Sequence, residues 1–368
     1  MNYYPTLITD ALKHVVHPAK NKDIVSLGMV EDDIRINGKE ISFSLIFDRA
    51  NDPLISKIKK ASVMAIKKYV GEEAQIEGNI YVKVKKREIN QKPLLPDVKN
   101  VIAVASGKGG VGKSTVTASL AVSLAQMGYK VGLLDADIFG PSIPKMFGTE
   151  DARPVVEKYD GKERIIPVEK YGVKLLSIGY FVDPEDALVW RGAMATNALK
   201  QLLGDAKWDD LDYLLIDMPP GTSDVHLTVV QTIALTGAVI VTTPQEVALA
   251  DARKGISMFT GKQVAVPVLG LIENMAWFTP AELPDNKYYI FGKDGGKKLS
   301  EKLGVPLLGQ LPLVQSIREG GDDGQPMALN KDSITGSSFD SIAREVISAV
   351  NKRNEDLPPT KIVQVKRG

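Results

Sequence analysis

A chain of 368 residues exceeds what a single hydrophobic core usually sustains, so two domains are expected. Its 46 basic and 45 acidic side chains leave a net charge of +1, which gives no general footing for a nucleic-acid partner. It has no cysteine, which excludes disulfides and any thiolate metal site made by this chain alone, and no apolar run near the roughly 20 residues that span a bilayer.

The opening MNYYPTLITDALKHV lacks the charged-then-apolar layout of a signal peptide, so a cytoplasmic location is the expectation. Thr6 to Val16 places Leu7, Ile8, Ala11, Leu12 and Val15 at helical spacing, with Thr6 as its cap. Strands are expected around Ile24 to Val30 and Ile41 to Phe47. The second alternates Ile41, Phe43, Leu45 and Phe47 with Ser42, Ser44 and Ile46, and Asn37-Gly38 between the two is a hairpin signal. Asp52-Pro53 then opens a helix through Ile58, Ala61 and Ala65 that Gly71 ends, and a last strand covers Ile80 to Val84. Residues 1–90 thus read as a small α+β domain of order α-β-β-α-β.

Residues 91–99 (QKPLLPDVK) hold two prolines and no periodicity, the composition of a linker. Residues 100–350 alternate strand and helix, as a mainly parallel sheet flanked by helices requires. Strands are predicted near Val101–Ala105, Val131–Leu134, Leu175–Ile178, Tyr213–Ile216, Ala238–Thr242, Val268–Ile272 and Leu307–Gly309. Helices are predicted at Lys113–Met127, Met194–Leu203, Val225–Thr236, Ala248–Phe259, Gly296–Leu303 and Phe339–Lys352. The tail, 351–368, has Pro358-Pro359 and then Ile362, Val363 and Val365, and reads as flexible or as an added edge strand.

The chemistry concentrates between Val101 and Met127. A buried strand runs into Gly107-Lys108-Gly109-Gly110-Val111-Gly112-Lys113-Ser114-Thr115 and then into an Ala/Leu-rich helix, the strand–loop–helix order of a P-loop. The glycines let backbone N–H groups line a phosphate, and the helix N-terminus points its positive end at the same anion. Lys113 is expected to reach the β- and γ-phosphates of ATP, and Ser114 to bind Mg²⁺. Asp217 follows the apolar run Leu214-Leu215-Ile216, the pattern of a rigidly delivered Walker B metal carboxylate. The P-loop, Asp137, Asp217 and Asn274 all fall at or just past strand ends, where ligand groups gather in such folds.

GKGGVGKST resembles the deviant Walker A loop of the MinD/ParA-like ATPases. Asp135 to Ser142, Asp217 to Asp224 and Glu273-Asn274-Met275 resemble the Mrp subgroup, ATPases tied to carrying and assembling iron–sulfur clusters, over roughly Leu7 to Val350. The resemblance implies a homodimer with nucleotide sandwiched between subunits and Lys108 reaching the partner's phosphates. It implies Asp137 as the switch I acid that orients the attacking water and joins Ser114 and Asp217 around the metal, with Asp135 as its supporting neighbour or a turn cap. Gly221, in a switch II segment, would offer its N–H to the γ-phosphate, and Asn274 would hydrogen-bond adenine. Arg191 fits the pattern without an assignable role, and His226, one turn into a helix, reads as structural.

Two departures qualify what the resemblance implies. The N-terminal domain resembles an iron–sulfur-assembly domain that commonly carries a cysteine before its second helix, where this chain has Asn51-Asp52-Pro53; a docking module is the better reading. Cluster-holding Mrp proteins continue past E-N-M into a Cys-Pro-x-Cys pair, where Thr279 and Glu282 stand here. A cluster is therefore expected only with outside ligands. Trp277 and Phe278 are either a partner-facing patch or an anchor for that loop. Three functions follow: an ATPase that assembles or transfers clusters to apoproteins; a nucleotide-switched adaptor that recruits assembly factors or a carrier; and a MinD/ParA-like positioning ATPase. The third is opposed by the balanced charge and by a tail without a basic amphipathic helix, so no membrane partner is expected.

Overall fold

A computed structural model describes residues 3–49, 51–84, 94–159, 161–181, 193–280, 282–283 and 285–363. Backbone contacts divide the chain into two compact units, Met1–Asn90 and Gln91–Gly368. Arg191 lies outside the described residues.

In the first unit, α1 (Pro5–Leu12) is followed by β1 (Arg35–Asn37), β2 (Glu40–Phe47), α2 (Ile55–Tyr69) and β3 (Ile80–Val84). β1 and β2 pair antiparallel about the Asn37-Gly38 turn, with Gly38 at φ +60°, and β3 pairs parallel to β2. The alternation read in β2 holds, since Ile41, Phe43, Leu45 and Phe47 are buried against Ile8, Leu12, Ile58 and Ile66.

Two expectations fail here. α1 begins at Pro5 with no side-chain cap, so Thr6 lies inside it, where the fixed φ of proline starts the helix instead. Ile24 to Val30 is not a strand: the Ser26 N–H donates to Asp23 Oδ1 (2.7 Å) and the Met29 N–H to the Ile24 carbonyl (2.9 Å), with Gly28 at φ +65°. Ile24 and Met29 are buried as anchors of a turn, and apolar residues buried for that reason look the same in sequence as a short strand.

The second unit is built on β4 (Asn100–Ser106), β5 (Val131–Asp135), β9 (Val173–Ser177), β10 (Tyr213–Pro220), β11 (Gly237–Thr242), β12 (Val268–Glu273) and β13 (Leu307–Gln310), all parallel. Three strands went unpredicted. β6 (Val156–Tyr159) and β7 (Lys162–Ile165) form an exposed hairpin, and β8 (Val168–Lys170) pairs antiparallel to β9 at the sheet edge. They are three or four residues long and mostly polar, too short for periodicity to register. The sheet order is β13-β12-β11-β4-β10-β5-β9-β8.

Alternate residues of each strand enter two cores, one per face. Val101, Ala103, Leu214 and Ile216 pack under α5 (Ala193–Gly204), α6 (Asp224–Thr232), α7 (Glu246–Thr260) and α8 (Gly295–Leu303). Ile102, Val104, Leu133 and Leu215 pack under α3 (Lys113–Gln126) and α10 (Ile334–Asp356). Burial on both faces explains the near-continuous apolar strands, each buried Leu or Val contributing about 1.5–3 kcal/mol. Two short helices, α4 (Ile143–Met146) and α9 (Gln315–Asp322), were also missed.

The last helix outruns its expected end, reaching Asp356. The described part of the tail adds no edge strand to the sheet. Arg353 donates to the Pro358 carbonyl (2.7 Å) and Thr360 Oγ1 (2.6 Å), and the Val363 N–H donates to the Val230 carbonyl (3.0 Å), seating Val363 in the core beside α6. No described helix is long and apolar enough to cross a membrane.

Candidate functional site

The chain leaves β4 for β5 on one side of the sheet and places β11 on the other, so the strand order reverses at β4. Its carboxyl end is where a crevice opens. Residues 107–112 form the loop there. Gly112 sits at φ +81° as the residue before α3, and a Cβ on it would run into the Asn274 amide. Gly107 is pressed against the backbone of Asp251 and Ala252 on α7, leaving no room for any side chain. Behind the loop, α3 is buried almost all round, through Val116, Leu120, Val122 and Leu124, which fixes the direction of its N-terminus.

Three side chains from the N-terminal end of α3 converge on one carboxylate. Lys113, 6% exposed, places Nζ 2.8 Å from Asp217 Oδ1, and Asp217 is fully buried. Ser114 donates to Asp217 Oδ2 (2.6 Å), and Thr117 donates to Asp217 Oδ1 (2.8 Å). Thr117 was not anticipated. Its signal was present in the spacing, because position i+4 from Lys113 stacks one turn above it on the same helix face. Parallel pairing of β10 with both β4 and β5 holds Asp217 beside Val104 and Asp135.

Asp135 is a brace at this site. Its Oδ1 accepts the Asp137 N–H (3.1 Å), and its Oδ2 accepts the Ile143 N–H (3.3 Å) and the Ser177 hydroxyl (3.0 Å). Burial, then the nearby Asp217 charge, raise its pKa to about 7. Asp137 itself is half-buried at the crevice, its pKa raised by burial while Lys113 pulls the other way. Ser114, Asp137 and Asp217 together supply hydroxyl and carboxylate oxygens, the donor set that suits Mg²⁺.

The remaining expected residues divide. Gly221 takes φ +78°, but its N–H donates to the Ser106 carbonyl (2.9 Å), so this arrangement does not present it to an anion. The Asn274 amide donates to the Val111 carbonyl (2.9 Å) and its Oδ1 accepts the Met275 N–H (2.9 Å), tying the end of β12 to the loop. Beside it, Gly112, Thr115, Asn274, Met275, Leu313 and Arg318 line a cleft of about 310 Å³. Lys108 is exposed and, among the described residues, in no ion pair.

Thr279 is half-buried and Glu282 exposed. Trp277 lies under the Lys287 ammonium, 4.1 Å from the ring centroid, and Phe278 exchanges backbone hydrogen bonds with Tyr288 (2.8 Å each). Both rings are half-buried, so they anchor the loop while leaving part of it exposed.

His226 belongs to the site as well. It lies at the third position of α6, 1% exposed, and Nδ1 accepts the Ser223 N–H (3.1 Å). Burial, then the Lys113 charge, push its pKa down to about 4.

Comparison with known proteins places these features. The family model of the NUBPL iron-transfer P-loop NTPases matches residues 97–347, and that of an iron–sulfur cluster assembly protein matches residues 6–77. An iron–sulfur cluster carrier protein of Synechocystis sp. is 43% identical over 356 residues, 94% of this chain and 98% of its own. The nucleotide-binding protein of Archaeoglobus fulgidus, solved with ADP, is 40% identical with a TM-score of 0.54 over 63% of this chain and 88% of its own. The cell division ATPase MinD of Pyrococcus furiosus is 25% identical with a TM-score of 0.50 over 68% and 98%.

If Asn274 serves as a brace for the loop, Asn274→Ala should weaken ADP and GDP alike, by about five- to tenfold for one lost hydrogen bond. Calorimetric titration with both nucleotides checks this, and a loss confined to ADP would place the amide on the base. His226 gives a pH signature. A histidine with a pKa depressed from 6.5 to about 4 binds fewer protons folded than unfolded between those values, so stability falls as pH drops through that window. The contribution is up to about 3 kcal/mol. Urea titrations at pH 7 and pH 5 should show a smaller fall in His226→Gln than in the parent.

Proposed function

This chain belongs to the NUBPL-type iron-transfer P-loop NTPases, with an iron–sulfur-assembly-type domain ahead of the NTPase, and on that footing we propose a Mg²⁺-dependent ATPase acting in iron–sulfur cluster assembly or transfer to apoproteins. The observation that carries the reading is the convergence of Lys113, Ser114 and Thr117 on the buried Asp217. It joins the phosphate-binding turn to the acid that a metal–nucleotide complex needs.

The loop backbone from Gly107 to Thr115 and the N-terminus of α3 receive the phosphates, and Lys113 turns its charge to the β- and γ-oxygens. Ser114, Asp137 and Asp217 would hold Mg²⁺, which would supply positive charge to offset that of the phosphates. Asp137, positioned through its own N–H by Asp135, orients the water for in-line attack. The cleft beside Gly112 and Asn274 takes the nucleoside. Lys108, exposed at the loop's tip, serves the active site of a second subunit in a nucleotide-sandwich homodimer. A lysine is a point charge without the guanidinium fork, so its rate contribution falls at or below the low end of the about 10³–10⁵ given by arginine fingers.

The cluster is cargo whose ligands come from elsewhere. Iron–sulfur clusters take thiolates, and two chains of this protein supply none. Thr279 and Glu282 offer a hydroxyl and one carboxylate per chain. ATP would set the geometry in which client or assembly-factor cysteines complete the site.

Two experiments test this. Asp137→Ala protein should bind ATP and fail to hydrolyse it, and mixing it with inactive Lys108→Ala protein should restore turnover, since a mixed dimer has one site with its own Asp137 and the partner's Lys108. Turnover by Asp137→Ala alone, or no rescue despite demonstrated mixed dimers, would remove those roles. For the cargo, anaerobic reconstitution and desalting of the pure chain should leave far less than one iron per subunit. Near-stoichiometric iron and sulfide would overturn the outside-ligand reading and make Glu282 the first residue to change.

A further inference from the structure

One polar atom beside the site has no hydrogen-bond partner among the described residues. His226 Nδ1 accepts the Ser223 N–H (3.1 Å) and lies 3.2 Å from Ser223 Oγ. A nitrogen that accepts an N–H bears no proton, so the neutral ring keeps its hydrogen on Nε2. That Nε2 is buried and, among the described residues, makes no hydrogen bond. Buried donors are nearly always satisfied, and an exception calls for a reason. The residue to which the ring is tied closes the turn Gly221–Ser223. That turn leaves β10 just beyond Asp217, and its first residue is itself held to Ser106 at the start of the P-loop. The ring is also near enough to the Lys113 ammonium for that charge to oppose its protonation.

We propose that His226 is a positioning residue for the Gly221–Ser223 turn, holding it through Nδ1 in the arrangement seen and supplying Nε2–H to an acceptor gained when the turn moves with the γ-phosphate. The inference rests on the ATPase reading above. It explains why an imidazole, in place of a carboxylate, suits the third position of this capping box. A carboxylate there would make the Ser223 bond and have no hydrogen for the second one. The element with two arrangements is the turn, and the ligand that biases it is the third phosphate.

The experiment compares three variants of the full chain. Gln at 226 keeps an acceptor and a donor, Glu keeps the acceptor alone, and Leu has neither. His226→Gln should retain kcat to within about threefold of the parent, while His226→Glu and His226→Leu should lose at least about tenfold, with KM and ADP affinity held to about twofold. Hydrogen exchange over residues 221–228 gives a readout free of turnover. Parent and His226→Gln should differ between ADP and a non-hydrolysable ATP analogue, and the other two should not. His226→Glu matching His226→Gln in both assays would reduce the residue to a helix cap and overturn the proposal, as would His226→Leu behaving like the parent. Should His226→Leu fail to fold, the Gln and Glu pair decides. A parent without ATP turnover would overturn the ATPase reading, while the exchange comparison would still decide the role of His226.

Discussion

A carboxylate buried at the end of a parallel strand has to be paired, and Asp217 is paired three times over. Lys113, Ser114 and Thr117 all come from the N-terminal end of α3, so the packing that aims this helix also satisfies the charge. A buried ion pair of this kind adds little net stability, since desolvation of both groups offsets much of the attraction. Its value is geometric. The lysine, the hydroxyl and the acid are held in one place by the need to satisfy one another, and those are the groups a nucleotide and its metal would engage.

Around that centre the braces are hydrogen bonds. Asp135 ties the Asp137 backbone to α4 and to Ser177 on β9, Asn274 ties β12 to the loop at Val111, and the Gly221 N–H ties the far turn to Ser106. The bonds from Ser177 to Asp135 and from Gly221 to Ser106 join the carboxyl ends of neighbouring strands, which the parallel register already brings to one level. Such bonds can be exchanged for others at modest cost, whereas the apolar layers beneath them cannot. Movement in this protein is therefore expected in the turns above the sheet, with the sheet as a fixed base.

The missing thiolates bear on function in a different way. The nucleotide fold of the family to which the chain belongs is intact here, while the cysteine thiolates that clusters ordinarily take are absent from the chain. Nucleotide handling and cargo holding are separable, because one depends on backbone and charge at strand ends and the other on soft ligands in an exposed loop. The loop after Asn274 keeps a defined shape without cysteines. Phe278 pairs with Tyr288 and Trp277 packs under Lys287, so backbone pairing and a cation over a ring do the structural part of the work.

Much was legible in the sequence. The seven parallel strands, and the places of the P-loop, Asp137 and Asp217 at or just past strand ends, follow from local patterns: apolar runs buried on both faces, glycines where a Cβ cannot fit, and acids where strands stop. The misses have a common cause. Ile24 to Val30 is apolar because a turn is buried, β6 to β8 are too short and polar to carry a period, and Val363 is seated by α6, more than a hundred residues away in the chain. Local pattern reports that a residue is buried without saying by what. The partners of Asp217 and the bond from Asn274 to Val111 are contacts between distant segments, and only the order in which the sheet assembles its strands decides them.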